Sequence, residues 1–434
     1  MGISRGMAGR DTVPEAMRFI FFSAVLGMAA AVMADEAFPQ PPGIKGLQVQ
    51  MTDDALALGI HHAAINVNVT ALLESDSGAA DGGPRTWKLR ESYLASLDGQ
   101  IRPLSDRGVV VYLILIAYPS GDAVRDGVVL HPGAVGGKGY SVAAFNAETD
   151  AGRSFLDAAV GAMAARWNGS KPEHGRVWGW ICGNEVNSHG TWYHMGSASM
   201  TEAVNAYERA FRIVSGSVRR HQPAARIYTS FDHHWSIRLA GSQPGQAAPG
   251  RDFLDAFAAE VKRRGDLPWH VAWHPYPVDL GNPRTWADGH VDGTDASPKV
   301  TFRNLEVLTR HLEQPALQFE GKPRRVILSE QGFHTLLTPD GESLQAAAYA
   351  YAWEKCRRLP LIDAFIYHRH VDHAHEGGLR LGLWRNAPGS VATPHSRKQI
   401  WDLFRKAGTP EWDAAAAFAL PVAGLATWDE LAPR

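Results

Sequence analysis

Only two cysteines, Cys182 and Cys356, occur in 434 residues, too few for a disulfide framework, so stability must come from the core. Cys182 falls in an apolar run and Cys356 in a helical pattern, and both read as buried thiols. Charge of either sign is also scarce in excess: the formal net charge is −2, which gives no basic field for nucleic acid and no acidic surplus for chelating cations. After the short proline-rich piece PQPPGIK there is no internal repeat, heptad run or low-complexity linker, which excludes solenoids, coiled coils and loosely tethered modules. No glycine-rich phosphate loop follows the first apolar run, so nothing specific supports a doubly wound nucleotide-binding sheet. The HExxH word of zinc hydrolases is absent as well.

What is present is enough apolar content, 45%, for one large core. Residues 1–34 read as a secretory signal peptide, with Met17 as an alternative start of translation: MRFIFFSAVLGMAAAVMA has a basic start, a short apolar stretch and a small-residue end. This implies a mature domain over 35–434, a secreted or periplasmic location, and no membrane attachment once the signal is cleaved. Short, β-branched apolar runs then recur at 46–50, 62–69, 108–117, 177–184, 226–231, 270–276, 324–330 and 363–368. Amphipathic patterns such as RESYLASLDGQIRPLSDRG and TEAVNAYERAFRIVSGSVRRH separate most of them. Strands that are apolar on both faces and alternate with helices predict an α/β fold, a (β/α)8 TIM barrel forming a single domain. The segments 118–148 and 277–300 are too long for minimal βα turns and are expected to wall a cleft at the carboxyl ends of the strands.

Two glutamates end runs that should line this barrel, Glu185 in WICGNE on strand four and Glu330 in VILSE on strand seven. A lone glutamate there can cap a helix or pair with an arginine, but two facing one cleft have the makings of glycoside hydrolysis. One protonates the leaving oxygen while the other attacks the anomeric carbon or activates water. The words GNE and SEQG, with His274 and Tyr276 in WHPYP, resemble the clan A glycoside hydrolases from about Gly46 to about Gly408. That resemblance implies Glu185 as acid/base, Glu330 as nucleophile, Asn184 as a contact to the sugar hydroxyl beside the anomeric carbon, and His274 and Tyr276 near the nucleophile. The longer words ICGNEVNSHGTWYHMG and YHRHVDHAHEGGLRLGLW are similar to a bacterial family known only as a domain of unknown function.

Environment separates the two carboxyls. The apolar residues leading into Glu185 favour its protonated form, whereas Glu330 must be ionised to attack, and Tyr276 is placed to donate to it. Many clan A enzymes carry a Trp at the end of strand eight, where this chain has Tyr367, His368, Arg369 and His370. A sugar platform is therefore sought at Trp192, Trp235 or Trp384. Asn66 and Asn68 at the end of strand two can bind hydroxyls or satisfy loop backbone.

Of nineteen histidines a large share follow strand ends, among them His189, His194, His233, His234, His368, His370, His373 and His375. Three uses are open: hydrogen bonding in a polar cleft, a metal site completed by Asp232 or Asp372, or, with Arg369 and Arg380, recognition of a carboxylated or sulfated sugar. The sequence thus reads as a secreted retaining glycoside hydrolase acting on a poly- or oligosaccharide without metal or other cofactor. Its substrate-binding candidates are Asn184, His274, Tyr276, Trp192, His189, His194, Asn66, His368, His370, Arg369 and Trp384. The alternatives are a metal-dependent hydrolase using the His/Asp loops and a non-catalytic carbohydrate-binding barrel.

Overall fold

The computed structural model describes residues 1–2, 37–76 and 85–432, and the segment read as a signal, Met17–Ala34, lies outside them. Pro39–Arg434 form one compact unit. Within it the eight expected strands are all present: β1 Lys45–Gln48, β2 His62–Asn68, β3 Val110–Ile116, β4 Gly179–Cys182, β5 Arg226–Phe231, β6 His270–Trp273, β7 Val326–Leu328 and β8 Ile362–Tyr367. Each pairs in parallel with its chain neighbour, and β1 pairs with β8, so the sheet closes into a barrel. Every residue of β3, VVYLILI, is buried, as a strand between helices and a filled interior must be.

Helices cover the outside where the apolar patterns place them: α1 Glu91–Ser105, α2 Asp150–Arg166, α3 Met200–Arg219, α4 Gly250–Arg263, α5 Gly341–Cys356 and α6 Gln399–Lys406. The start of α3 shows how sequence sets a boundary. The Ser199 hydroxyl accepts from the Glu202 amide at 3.3 Å and the Glu202 carboxylate accepts from the Ser199 amide at 2.8 Å, satisfying two otherwise unpaired donors. Short antiparallel hairpins decorate two loops, Leu73–Asp76 with Trp87–Leu89 after β2, and Trp384–Asn386 with Pro394–Arg397 after β8.

The strands that carry the candidate residues end earlier than their apolar runs. β4, β6 and β7 stop at Cys182, Trp273 and Leu328, so Glu185, His274, Tyr276 and Glu330 sit on the chain just beyond the ladder. After β4 the cause is local: Gly183 at φ 77° and Glu185 at φ 43° take left-handed backbone, which cannot continue a strand. Deeper in, an aromatic layer plugs the barrel. Tyr112 meets Tyr228 edge to face at 5.7 Å, and its hydroxyl lies 3.2 Å from His62 Nδ1. Gly179 leaves the space for that layer, since a Cβ there would come within 1.9 Å of the Tyr112 ring. Replacing Gly179 with Ala should therefore lower unfolding free energy by about 1–3 kcal/mol in a denaturant titration; an unchanged midpoint would show that Tyr112 gives way without cost.

Candidate active site

Glu185 reaches the cleft because the chain turns sharply at the mouth of β4. Gly183 is required for the turn, as a Cβ on it would meet the Tyr193 ring at 2.6 Å. The left-handed Glu185 is a conformation that a non-glycine residue holds only when its surroundings fix it. Two contacts do so nearby: the Glu185 amide donates to Ser230 Oγ at 3.1 Å, and its carbonyl accepts from the Ser188 amide at 2.8 Å. Asn184, which precedes it, is also buried at the mouth.

The Glu185 carboxyl is nearly out of water and meets His274 on the neighbouring wall, with Oε1 2.9 Å from Nδ1. His274 Nε2 lies 3.0 Å from Ser329 Oγ and 3.3 Å from Ser230 Oγ, so the ring is held on both edges. Burial pushes the Glu185 carboxyl up to about 7, with the His274 contact opposing and the charges of Asp232 and Glu330 adding to the rise. For His274 burial acts downward, but the bond to Glu185 and the carboxylates around it outweigh burial and raise its proton affinity. Carboxyl and imidazole thus compete for one proton across a single contact.

Glu330 is half-buried, two residues past β7, and its Oε1 accepts from the Tyr276 hydroxyl at 3.1 Å. Burial, reinforced by the adjacent carboxylate, holds the Tyr276 phenol far above its ordinary range, so it remains a donor. His233 Nδ1 contacts the Tyr276 carbonyl at 2.8 Å and steadies that rim. One oxygen of each carboxyl and a nitrogen of His274 all lie within 4.8 Å of one another. His274 and Tyr276 each reach a carboxyl, the first Glu185 and the second Glu330, across a tight turn in which the Tyr276 amide donates to the His274 carbonyl at 2.9 Å.

A second polar group gathers at the ends of β1, β2 and β8. Asn66, exposed in the last turn of β2, accepts from Gln48 Nε2 at 2.9 Å, and Gln48 in turn contacts His368. His368 Nε2 lies 3.0 Å from Glu376 Oε1, and Arg369 Nε lies 2.5 Å from Glu376 Oε2. Gln48 and Glu376 were not singled out in the sequence. Each has a signal in hindsight, Gln48 as the last residue of the first strand and Glu376 as a carboxylate inside YHRHVDHAHEGG. Ser230 and Ser329, the rear supports of His274, carry none. Tyr118, 36% exposed after β3, has its phenol raised by partial burial and by the charge of Glu330, with Arg369 opposing.

Several expected substrate contacts are committed elsewhere. His189 is fully buried and its Nε2 holds the Ala198 and Gly245 carbonyls at 3.0 and 3.1 Å, which makes it a loop staple. His370 is likewise buried: Nδ1 accepts from the Gln50 and Met51 amides, which leaves Nε2 to donate to Asp54 at 2.9 Å. The Trp384 indole donates to the same Asp54 at 2.9 Å and its ring is flanked by Arg397, so it ties the hairpin to the barrel. Trp235 is core, with its indole on the Asp295 carbonyl at 3.1 Å. Asn68 caps the short helix after β2 through its side-chain oxygen. Trp192 is half-buried and outside the main apolar cluster, and His194 stacks on Tyr140 at 4.1 Å, so these two remain on the loop beside Glu185.

The histidine loops do not converge on a metal position. Asp372 pairs with Lys398 at 2.7 Å, Asp232 takes Asn187 Nδ2 at 2.8 Å and the Ser188 hydroxyl, and His370 is spent on Asp54. Among the described residues, Glu185, His274 and Glu330 are the one set of three donors close enough to share an ion. The arginines offered for anionic sugars are also engaged, Arg369 by Glu376 and Arg380 by the Thr335 carbonyl at 2.7 Å.

Solved structures with a similar fold include the family 39 glycoside hydrolase of Bacteroides cellulosilyticus WH2, with TM-score 0.51 and 14% identity over 83% of this chain. The match spans 60% of that enzyme's own length. The β-glucosidase of Pyrococcus furiosus has TM-score 0.53 and 13% identity, covering 86% of each chain. A glucosidase from Croceicoccus marinus has TM-score 0.52 and 11% identity, covering 85% of this chain and 69% of that one. At such identities the likeness establishes the shared (β/α)8 barrel. No curated protein matches the sequence. A family model does, over residues 37–431, and the chain belongs to that family, the family of unknown function DUF5722.

Proposed function

We propose that the protein is a retaining glycoside hydrolase acting outside the cytoplasm on an uncharged poly- or oligosaccharide. One observation carries the reading: an oxygen of Glu185, just past β4, and an oxygen of Glu330, just past β7, lie within 4.8 Å of each other in unlike environments, one carboxyl buried against an imidazole and one half-open and bonded to a phenol. Retaining enzymes need carboxyls about 5–5.5 Å apart, because the nucleophile must reach the anomeric carbon directly, whereas inversion leaves about 6.5–9.5 Å for a water. The glycosidase chemistry of the fold's solved relatives agrees with this reading, as does the pattern of Met17–Ala34 for the location.

Glu330 attacks the anomeric carbon while Glu185 gives its proton to the departing oxygen, and a glycosyl–Glu330 ester forms. Water then gives a proton to Glu185, its oxygen takes the sugar, and Glu330 leaves as carboxylate. Tyr276 donates to Glu330 throughout and His274 receives the charge change on Glu185. Arg369 and Arg380 are already engaged, by Glu376 and by the Thr335 carbonyl, which favours neutral sugars. Trp192, half-buried on the loop that follows Glu185, is assigned to a leaving-group subsite.

A panel of 4-nitrophenyl glycosides tests the reading. Glu330→Gln should fold and lose at least about 10⁴-fold in turnover, because an amide forms no glycosyl ester; near-normal turnover would remove Glu330 from its role. Glu185→Ala should regain cleavage of activated substrates with azide, giving a glycosyl azide of unchanged anomeric configuration. The inverted azide, or no rescue, would count against Glu185.

The pH dependence follows from the raised Glu185. The acid must be protonated, so kcat/KM should hold up to about pH 7 and fall about tenfold per unit above it. A plateau extending to pH 9 would contradict that assignment. The same three donors could instead share a divalent ion, and dialysis against EDTA separates the readings. Unchanged kcat/KM is expected; loss with recovery on adding zinc back would favour the metal-dependent alternative.

A further inference from the structure

The FDHHW segment after β5 was singled out as a histidine cluster, yet its central group is Asp232, a carboxylate 5% exposed directly behind the Glu185 loop. Asp232 Oδ1 accepts from Asn187 Nδ2 at 2.8 Å and from the His234 amide at 2.8 Å, and its Oδ2 accepts from the Ser188 hydroxyl. Its own amide returns a bond to Asn187 Oδ1 at 3.1 Å. Asn187 and Ser188 are the second and third residues after Glu185. The adjacent Ser230 holds the Glu185 amide, so the end of β5 grips the left-handed turn on both sides.

We propose that Asp232 is a positioning residue for Glu185: it clamps the turn that presents the carboxyl, and its buried negative charge keeps a proton on that carboxyl. The inference rests on the acid role given to Glu185 above, but its physical content does not need turnover. The charged and titratable groups facing Glu185 are His274 and Tyr276 from beyond β6, Glu330 from beyond β7 and Asp232 from beyond β5. Asp232 is itself kept ionised: burial opposes this, but the bonds from His234 and Ser188 and the nearby His233 hold it below the usual carboxylate range. A permanent charge in this position acts on both members of the Glu185–His274 pair in the same direction, toward retaining protons.

Asp232→Asn separates charge from clamp. The amide oxygen still accepts from Asn187 and the His234 amide, and the new NH2 donates to Ser188 Oγ, while the charge is gone. The measurement is the titration of Glu185 in full-length protein labelled with ¹³C at glutamate Cδ, its signal identified by difference against Glu185→Gln. The midpoint should fall by about 0.5–1 pH unit in Asp232→Asn, with the melting temperature near that of the parent. An unchanged midpoint would overturn the proposal. Should Asp232→Asn fold poorly, Asp232→Ser keeps a small acceptor without charge and gives the same readout. With phenyl and 2,4-dinitrophenyl glycosides, the loss in kcat/KM should be greater for the phenyl substrate, whose leaving group needs the proton; equal losses would contradict the link to Glu185. If the midpoint moves but no glycoside is cleaved by the parent, the function fails and the effect of the Asp232 charge stands; if glycosides are cleaved and the midpoint stays, only the charge effect fails.

Discussion

The contact between Glu185 and His274 is the constraint on which the rest of the site depends. A carboxyl taken out of water at a barrel mouth is costly as a bare anion and keeps its proton unless something compensates. His274 compensates in part, across 2.9 Å, and is itself raised by the charges it faces. The pair therefore holds a mobile proton at the barrel mouth, where the proposed reaction needs one. Ser230 and Ser329 fix the imidazole from behind, so neither partner can turn away without losing a hydrogen bond.

Barrel geometry makes that contact possible and sets a contrasting environment 4.8 Å away or less. β4, β6 and β7 end at the same rim, and each carries its residue a step beyond the ladder, where side chains turn into the cleft. Glu330 meets water on one side and the Tyr276 phenol on the other, while Glu185 is enclosed. Two glutamates are thereby given unlike environments by position alone. The backbone contributes the least familiar part, a left-handed Glu185 that only a tightly held turn would maintain.

Periodicity was enough to find all eight strands and the main helices, because apolar runs buried on both faces are hard to mistake for surface segments. Strand ends were less legible: the runs of β4, β6 and β7 continue past the ladder, where the chain still packs but positive φ angles after β4 and departure at the rim end the pairing. The carboxyl pair and its partners His274 and Tyr276 could be read because strand ends converge in this fold. Individual histidines could not. His189 and His370 look like His368 in sequence, yet two are bound to loop carbonyls, backbone amides and Asp54, and the third faces Gln48 and Glu376. Which of these an imidazole meets depends on loop packing, as does the burial of Trp235 and the tie of Trp384 to Asp54. Ser230 and Ser329 carry no such signal because small polar residues become specific only through what stands opposite them.

The central claim is that Glu330 forms a bond to sugar carbon. Activated 2-deoxy-2-fluoro glycosides slow both steps but the second far more, so a retaining enzyme accumulates the glycosyl ester. Incubating the protein with a panel of such compounds, digesting it and measuring peptide masses should show one fluoroglycosyl group on the peptide containing Glu330, absent from Glu330→Gln. A label on another residue, or cleavage of the parent glycosides with no label from any member of the panel and with inverted product, would contradict the account.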